Sequence, residues 1–491
     1  MASQFPSSLF LPFQESSSEL AQYTRLFRAF QQAIINGDLT PGAKLPASRA
    51  LCAELGISRN TVKTAYEMLH AEGYVETRHG AGSFVATNLP LDTVDQSEDQ
   101  AQPQAQVPPK LSAMAQTLVG VRKPNQMKTG ELLLPAQPCV NSFPWSQWQR
   151  AVASAGRQMK YQQNSVMGNS QLREQIANYL RVVRGVKCTT DQVMICSGSQ
   201  QAMFLALKLL VDAGEAVIAE DPGYQGIDGA IAAVGATKIP AQVDKQGIQL
   251  EDGLQQAPNA RVVMLTPSRN HPLGHTLSLD RRLQLLQWAK RNGSWLIEDD
   301  YDSEFRFEQQ PLTSLQGLGG QDVVIYTGTF SRILHPGIRL GYMVLPELLL
   351  EPATRAKTYM EGGTSILPQL ALAEFMSSGH FASHVRRMRK LYHQRREILH
   401  SAIDARLGAQ LSLIPSDGGM HSVYLIPEQW DDRRIRQLCE ARGLGIRDLS
   451  RYYTGQKRTC GLVIGFAGYS EAEINTGVDR LAAAIDLYSS E

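Results

Sequence analysis

The run Cys196-Ser197-Gly198-Ser199-Gln200-Gln201 places a small polar turn after an apolar, strand-like stretch and before a helix-forming one. A turn of that kind aims several unpaired backbone N–H groups at one point, which suits a phosphate or a carboxylate. A second concentration of chemistry lies near the start of the chain. There Arg59, Asn60, Lys63 and Thr64 share one face of a helical pattern, and Val62, Ala65 and Leu69 share the other. Polar side chains on a helix anchored by its apolar face suit the hydrogen-bonding edges of a major groove. Lys44, Ser48 and Arg49, just upstream, suit phosphate oxygens. His380 and His384 stand one helical turn apart, but no acidic third ligand is near in sequence. A solvated helix face or a subunit contact is expected there, and no metal site.

These groups need elements to hold them. The 491 residues exceed one compact core, so two to four folding units are expected at about 100–200 residues each. With 48 Lys+Arg against 47 Asp+Glu, the chain is nearly neutral, which excludes a polybasic coat or histone-like protein. No run of eighteen apolar residues appears, so no membrane span is expected. The first basic residue is Arg25, so no charged leader of the secretory type is expected either. The cysteines (Cys52, Cys139, Cys188, Cys196, Cys439, Cys460) contain no C-x-x-C pair. That argues against structural zinc or a disulfide framework and for a reducing cytoplasm.

Residues Leu20–Asn36 recur apolar at helical spacing, a second helix fits Ala47–Leu55, and Ser58 is a good cap for a third, Arg59 to about Ala71. Tyr74–Arg78 and Ser83–Ala86 alternate as strands around His79-Gly80-Ala81-Gly82, which completes a winged helix-turn-helix plan over residues 1–89. Residues 90–127, with Pro90, Pro103, Pro108 and Pro109 among acids and glutamines, read as a flexible linker. Residues 128–491 alternate strands with longer amphipathic helices, which predicts an α/β fold with a mostly parallel sheet covered on both faces. From about 380 onward the pattern predicts a smaller C-terminal α+β lobe.

Three segments in order, Gly42 to Arg49, Leu55 to Val62 and Arg78 to Val85, resemble the GntR-type winged helix. The resemblance implies double-stranded operator DNA as a partner. It implies contacts from Lys44, Ser48, Arg49, Arg59, Asn60, Thr61, Lys63 and Thr64, with Arg78, Gly80 and Gly82 on the wing. Residues 1–90 are neutral, with seven basic and seven acidic side chains, but five of the basic seven fall between Lys44 and Arg78.

Farther along, Ser197 to Gln201, Asp221-Pro222-Gly223-Tyr224, Glu298 to Arg306, and Thr329-Phe330-Ser331-Arg332 through Arg339-Leu340-Gly341-Tyr342 follow in order. Together they resemble the site of a fold-type-I pyridoxal-phosphate (PLP) aminotransferase. Behind a GntR-type module, the combination is similar to the MocR/GabR subfamily of regulators. The implied fold is an N-terminal winged helix-turn-helix plus a PLP-dependent aminotransferase-like large domain with a smaller lobe. The implied roles are Ser199, Gln200, Ser331 and Arg339 at the cofactor phosphate, and Tyr224 against the pyridine ring, unless Pro-Gly-Tyr is only a packed turn. Asp299, or its neighbour Asp300, would meet the ring nitrogen, and Tyr301 the phenolic oxygen; a carboxylate there keeps the ring protonated and electron-withdrawing.

One position breaks the family motif, which has lysine where this chain has Arg332. An aldehyde needs a neutral primary amine, and a guanidinium keeps its charge. No catalytic residue is expected at 332, and PLP or another small anionic effector is expected to bind without a covalent bond. Lys357 lies too far along the chain to replace it without rearrangement. Arg269 stands where the family usually has histidine, and Asp228 where arginine is common. The strand near Cys460–Phe466 lacks the arginine that often holds a substrate carboxylate, with Arg458 close by in sequence. The expectation is a cytoplasmic, homodimeric, DNA-binding transcription regulator. The alternative is an active aminotransferase carrying an accessory DNA-binding module.

Overall fold

The computed structural model describes residues 20–78, 80–89, 109–121, 130–161, 163–307 and 312–490. The chain divides into two compact units, Met1–Pro108 and Pro109–Glu491.

In the first unit, helices Gln22–Ile35, Ser48–Leu55 and Arg59–Ala71 precede an antiparallel hairpin, β1 (Val75–Arg78) and β2 (Gly82–Val85). The third helix starts where the sequence says it should. The Ser58 hydroxyl accepts the Thr61 N–H at 3.0 Å, which satisfies one of the donors every helix start leaves open. Leu26, Phe30, Ile34, Leu51, Val62, Ala65 and Leu69 are fully buried together. At about 1.5–3 kcal/mol per large apolar side chain, this core fixes which face of each helix remains outside. His79, in the expected wing turn, lies outside the described residues.

Of the expected linker, 90–127, only 109–121 are described, and they depart from an extended chain. Ala113–Gly120 is a helix, capped by the Ser112 hydroxyl on the Ala115 N–H at 3.1 Å. Leu111, Met114, Leu118 and Val119 give this stretch the apolar content that the proline-rich part lacks.

The second unit is built on an eight-stranded sheet. Its strands are β3 (Val193–Cys196), β4 (Ala216–Asp221), β5 (Thr237–Asp244), β6 (Gly247–Ile248), β7 (Val262–Leu265), β8 (Trp295–Asp300), β9 (Val324–Thr329) and β10 (Gly341–Val344). Their order is β3-β10-β9-β8-β7-β4-β5-β6, with β5, β4, β7, β8 and β9 parallel and β10 antiparallel to both neighbours. Alternate residues enter different cores. Ile218, Val263, Leu265, Leu296 and Val324 join one apolar cluster, whereas Val217, Ala219, Val262, Met264, Ile297 and Ile325 join another. Both faces are therefore covered, as a parallel sheet requires.

The smaller lobe has a four-stranded antiparallel sheet, β11 (Ser412–Ile414), β12 (His421–Leu425), β13 (Arg447–Asp448) and β14 (Gly461–Gly465), in the order β11-β12-β14-β13. Helices His380–Leu407 and Glu471–Ser490 pack on each other beside it. No helix among the described residues is long and apolar enough to cross a membrane.

Candidate functional site

Open parallel sheets present their ligand-binding loops at the carboxyl ends of the strands. A narrow cleft lies there, lined by Ala136, Ser199, Tyr224, His271, Asp299, Tyr301, Thr329 and Arg332. Ser199 opens the helix Ser199–Leu210, and Tyr224 stands just before the helix Gln225–Ala233. Asp299 and Asp300 end β8, where neighbours point to opposite sides. Asp299 is the one that lines the cavity, and its Oδ1 accepts the Thr327 hydroxyl at 2.9 Å. Asp300 turns away, accepting Arg184 Nε at 2.7 Å and the Tyr326 hydroxyl at 2.5 Å. Ala136 arrives from an early segment pinned to the small lobe, with Leu132 N–H on the Gly443 carbonyl at 3.0 Å and Gly465 N–H on the Leu133 carbonyl at 2.9 Å.

One end of this region gathers groups of a kind that can hold an anion. Gly198 has φ +96°, a backbone conformation that favours glycine, and the Arg339 guanidinium stands beside this helix start. Arg339 also donates to the Ser197 carbonyl at 3.2 Å. The Ser331 hydroxyl is buried without a hydrogen-bond partner among the described residues. Leaving such a group unpaired costs about 1–3 kcal/mol, which an incoming oxygen would recover.

Thus Ser199, Tyr224, Asp299, Tyr301 and Arg332 come together, with Ser331 and Arg339 flanking them. Gln200 does not join them through its side chain, because its amide donates to the Gly226 carbonyl at 2.8 Å and ties two helix starts together. Ala136, His271 and Thr329 line the cavity without having been expected. His271 is ringed by Tyr224, Tyr301, His421 and Tyr452 at centroid distances of 5.5, 5.8, 5.4 and 5.2 Å. Burial, with Arg332 and Arg269 nearby, pushes its pKa down to about 3, so its imidazole is neutral. The polar run Thr266 to Pro272 was the signal that could have pointed to it.

In the first unit, Arg59, Asn60 and Lys63 are exposed on the third helix and Thr64 is half-buried. Lys63 stands 3.4 Å from Glu67. The Thr61 hydroxyl meets that of Ser58 at 2.8 Å and so belongs to the cap. Ser48 is the first residue of the second helix, followed by exposed Arg49. Lys44 stands apart from them. Leu45 N–H donates to the Ser83 carbonyl and Val85 N–H to the Ala43 carbonyl, both at 2.8 Å, so this segment pairs with β2. Lys44 therefore joins Arg78, Gly80 and Gly82 on the wing.

The protein family described as "Aminotransferase class I and II" matches residues 139–481, and "Bacterial regulatory proteins, gntR family" matches residues 22–85. The chain is 33% identical over 473 residues to the probable rhizopine catabolism regulatory protein MocR of Rhizobium meliloti, covering 96% of this chain and 95% of that one. It is 30% identical over 464 residues to the HTH-type pyridoxine biosynthesis transcriptional regulator PdxR of Corynebacterium glutamicum, covering 94% and 96%. The chain belongs to the MocR/GabR subfamily of GntR-type transcription regulators. Among solved structures, a kynurenine aminotransferase of Pyrococcus horikoshii matches with a TM-score of 0.67 at 25% identity, over 77% of this chain and 95% of that one.

In this MocR/GabR protein, the positions flagged in the sequence take the following places. Arg332 donates to the Ala136 carbonyl and reaches the Tyr224 hydroxyl. Lys357 is no substitute. It is fully buried away from the cavity lining, donating to the Val166 carbonyl at 2.8 Å and pairing with Glu361 at 2.8 Å. Arg269 is buried, donates to the Tyr301 oxygen at 3.1 Å and pairs with Asp302 at 3.3 Å. A Cβ on Gly419 would overlap its guanidinium, so that glycine makes space for it. Asp228 pairs with Lys238 at 2.6 Å, and Arg458 is exposed. His384 gives its Nε2 to the Ile333 carbonyl at 3.1 Å, an arrangement that anchors a helix.

Burial pushes the Asp299 carboxyl up to about 7, with Thr327 and Arg332 opposing the rise and Asp300 and Glu220 adding to it. A carboxyl with a raised pKa favours the fold while it is protonated. Its contribution is therefore full at acid pH and is lost as pH rises through about 7. Asp299→Asn should gain stability relative to the native chain between pH 4 and 7 and hold that gain at higher pH. Thermal melts across this range check the expectation, and a difference independent of pH would refute it.

Proposed function

We propose that this protein is a homodimeric, cytoplasmic regulator that binds operator DNA through the winged helix. Its aminotransferase-like domain serves as a reversible, non-covalent receptor for PLP or a similarly shaped anion, and it does not transaminate. The observation that carries this reading is Arg332 in the wall of a cavity that otherwise keeps an anion end and a carboxylate end. The residues fit a phosphorylated hydroxypyridine. The helix start at Ser199, the unpaired Ser331 hydroxyl and the Arg339 guanidinium would hold the phosphate. Asp299 would hold the ring nitrogen, Tyr224 the ring face and Tyr301 the phenolic oxygen.

When bound, such a cofactor supplies an aldehyde and an electron-withdrawing ring. The chain's own groups do not exploit them. Arg332 has no neutral amine to offer, and its five donors form a fixed fork suited to carboxylate or phosphate oxygens. Arg269 donates to the Tyr301 oxygen, which leaves the phenolic O–H free to donate to a ligand. His271 is uncharged and beside two arginines, so it serves as a polar wall and not as a proton store. The likeness to a pyridoxine biosynthesis regulator supports this class of ligand.

The test is a footprinting titration of the full-length protein on its operator, with and without PLP. Arg59→Ala should cost about 1–3 kcal/mol in specific binding if the side chain reads a base edge. Lys44→Ala should weaken binding to all sequences alike and flatten the salt dependence. PLP should shift the native titration, and dialysis should reverse the shift. Operator affinity untouched by both substitutions and by PLP would sink the proposal.

A further inference from the structure

We infer that Phe84 is a positioning residue of the DNA face, holding the two basic side chains of the wing, Lys44 and Arg78, over a single ring. The inference rests on the proposed DNA binding and names a residue that the sequence resemblance does not. Arg78 Cζ lies 4.6 Å from the centre of the Phe84 ring, and Lys44 Nζ lies 5.7 Å from it. Both distances fall within the range of a cation–π attraction. The two cations come from different segments of the chain, and only β2 brings them together. Lys44 forms an antiparallel bridge with Phe84 itself, and Phe84 faces Glu76 across the hairpin, two residues from Arg78.

The rest of the wing is shaped around this cluster. The Lys44 stem runs beside Gly82, with Cε 3.4 Å from where a Cβ would stand, in van der Waals contact. Gly82 also has φ +110°, which a side chain there would resist. Phe84 itself is half-buried in spite of its size, whereas its neighbour Val85 is fully buried. Core packing alone therefore does not account for the exposed part of the ring. Long, flexible cations normally pay in side-chain entropy to meet a phosphate. A ring that already holds both heads lowers that cost before DNA arrives. Arg78 is also held by Glu76 at 2.5 Å, so the wing carries one cation in an ion pair and, among the described residues, one whose charged head rests on the ring.

The experiment measures binding of the full-length protein to a mixed-sequence duplex of about 30 base pairs at several salt concentrations. That probe reports phosphate contacts without needing the operator. Replacing Phe84 with a trifluorinated phenylalanine keeps the shape of the ring and removes most of its negative face. We expect affinity at low salt to fall about fivefold or more, since each exposed cation–π contact is worth roughly a two- to fivefold change. The slope of log affinity against log salt should become shallower by about one to two units, as contacts to one or two phosphates are lost. Phe84→Tyr should bind like the native protein. Phe84→Leu should match the fluorinated chain, provided its melting temperature is native-like. Unchanged affinity and slope in the fluorinated protein would overturn the inference, and so would a loss of affinity with an unchanged slope. If the native protein binds no duplex at low salt, the DNA reading falls and takes this inference with it.

Discussion

Replacing Arg332 with lysine is expected to give the protein a covalent bond to PLP that the native chain does not form. Native protein mixed with PLP should release all of it on dialysis and show no added mass after borohydride treatment. Arg332→Lys under the same conditions should retain the ligand, develop a new absorbance band and yield a reduced adduct on the peptide carrying residue 332. The reasoning is chemical. Forming the carbon–nitrogen bond expels water and requires an amine that has lost its proton. Lysine in a largely buried wall can lose it, because burial disfavours its charged form. Arginine cannot, because its delocalised guanidinium keeps its proton in proteins. The substitution leaves Ser199, Ser331, Arg339, Asp299 and Tyr301 untouched, so it tests whether the rest of the cavity still recognises the ring and the phosphate. The difference should be all or none, not a graded change in affinity. A mutant that stays colourless and unmodified would mean that the Arg332 side chain fills a relic pocket, and the cofactor reading would have to be abandoned.

Much of this architecture is legible before any coordinates, because its signals are local. The third helix runs from Arg59 to Ala71 as the Ser58 cap and the spacing of Val62, Ala65 and Leu69 require. The expected alternation of strands and helices is met by β4, β7, β8 and β9, which are neighbours in the parallel part of the sheet. The Gly-Ser turn at 197–199 sits at a helix start behind a strand, where a phosphate site needs it. What escapes sequence reading is non-local. Ala136 enters the cavity only because hydrogen bonds to the small lobe, far along the chain, hold its segment, and nothing in its own neighbourhood announces that. The choice between Asp299 and Asp300 depends on the register of β8 against β9, which places Thr327 beside Asp299. Lys44, grouped by sequence with Ser48 and Arg49 as a phosphate contact, lies at the edge of the wing. The reason is backbone pairing with residues 83–85, some forty positions later. Gln200 matched a motif, yet motifs do not specify rotamers, and a nearby carbonyl claimed its amide.

The register of β8 is itself held by a buried charge, and removing that charge should be the most destabilising single change in the second unit. Arg184 is 2% exposed. Its Nε donates to Asp300 Oδ2 at 2.7 Å, its Nη1 to the Leu312 carbonyl at 2.5 Å and its Nη2 to the Ser268 hydroxyl. Three segments therefore converge on one guanidinium: the end of β8, the loop after β7 and the stretch near Leu312. Arg184→Met keeps most of the volume and removes the cation. Asp300 would then be left buried with only the hydroxyls of Tyr326 and Ser303 as donors. Breaking a buried pair by taking one partner typically costs about 3–5 kcal/mol, chiefly the penalty of the charge left behind. Equilibrium unfolding in urea should show a loss of that order. The double change Arg184→Met with Asp300→Asn should recover part of it, because no uncompensated charge remains. A loss below about 1 kcal/mol in the single variant would show that the pair is not what fixes this strand. Because Asp299 reaches the cavity only while Asp300 is held on the other side of β8, the single variant should also bind PLP more weakly than its stability alone explains. The double variant would separate the two effects: if it regains stability without regaining affinity, Asp300 positions Asp299 through its charge, and if both return together, the packing of β8 is sufficient.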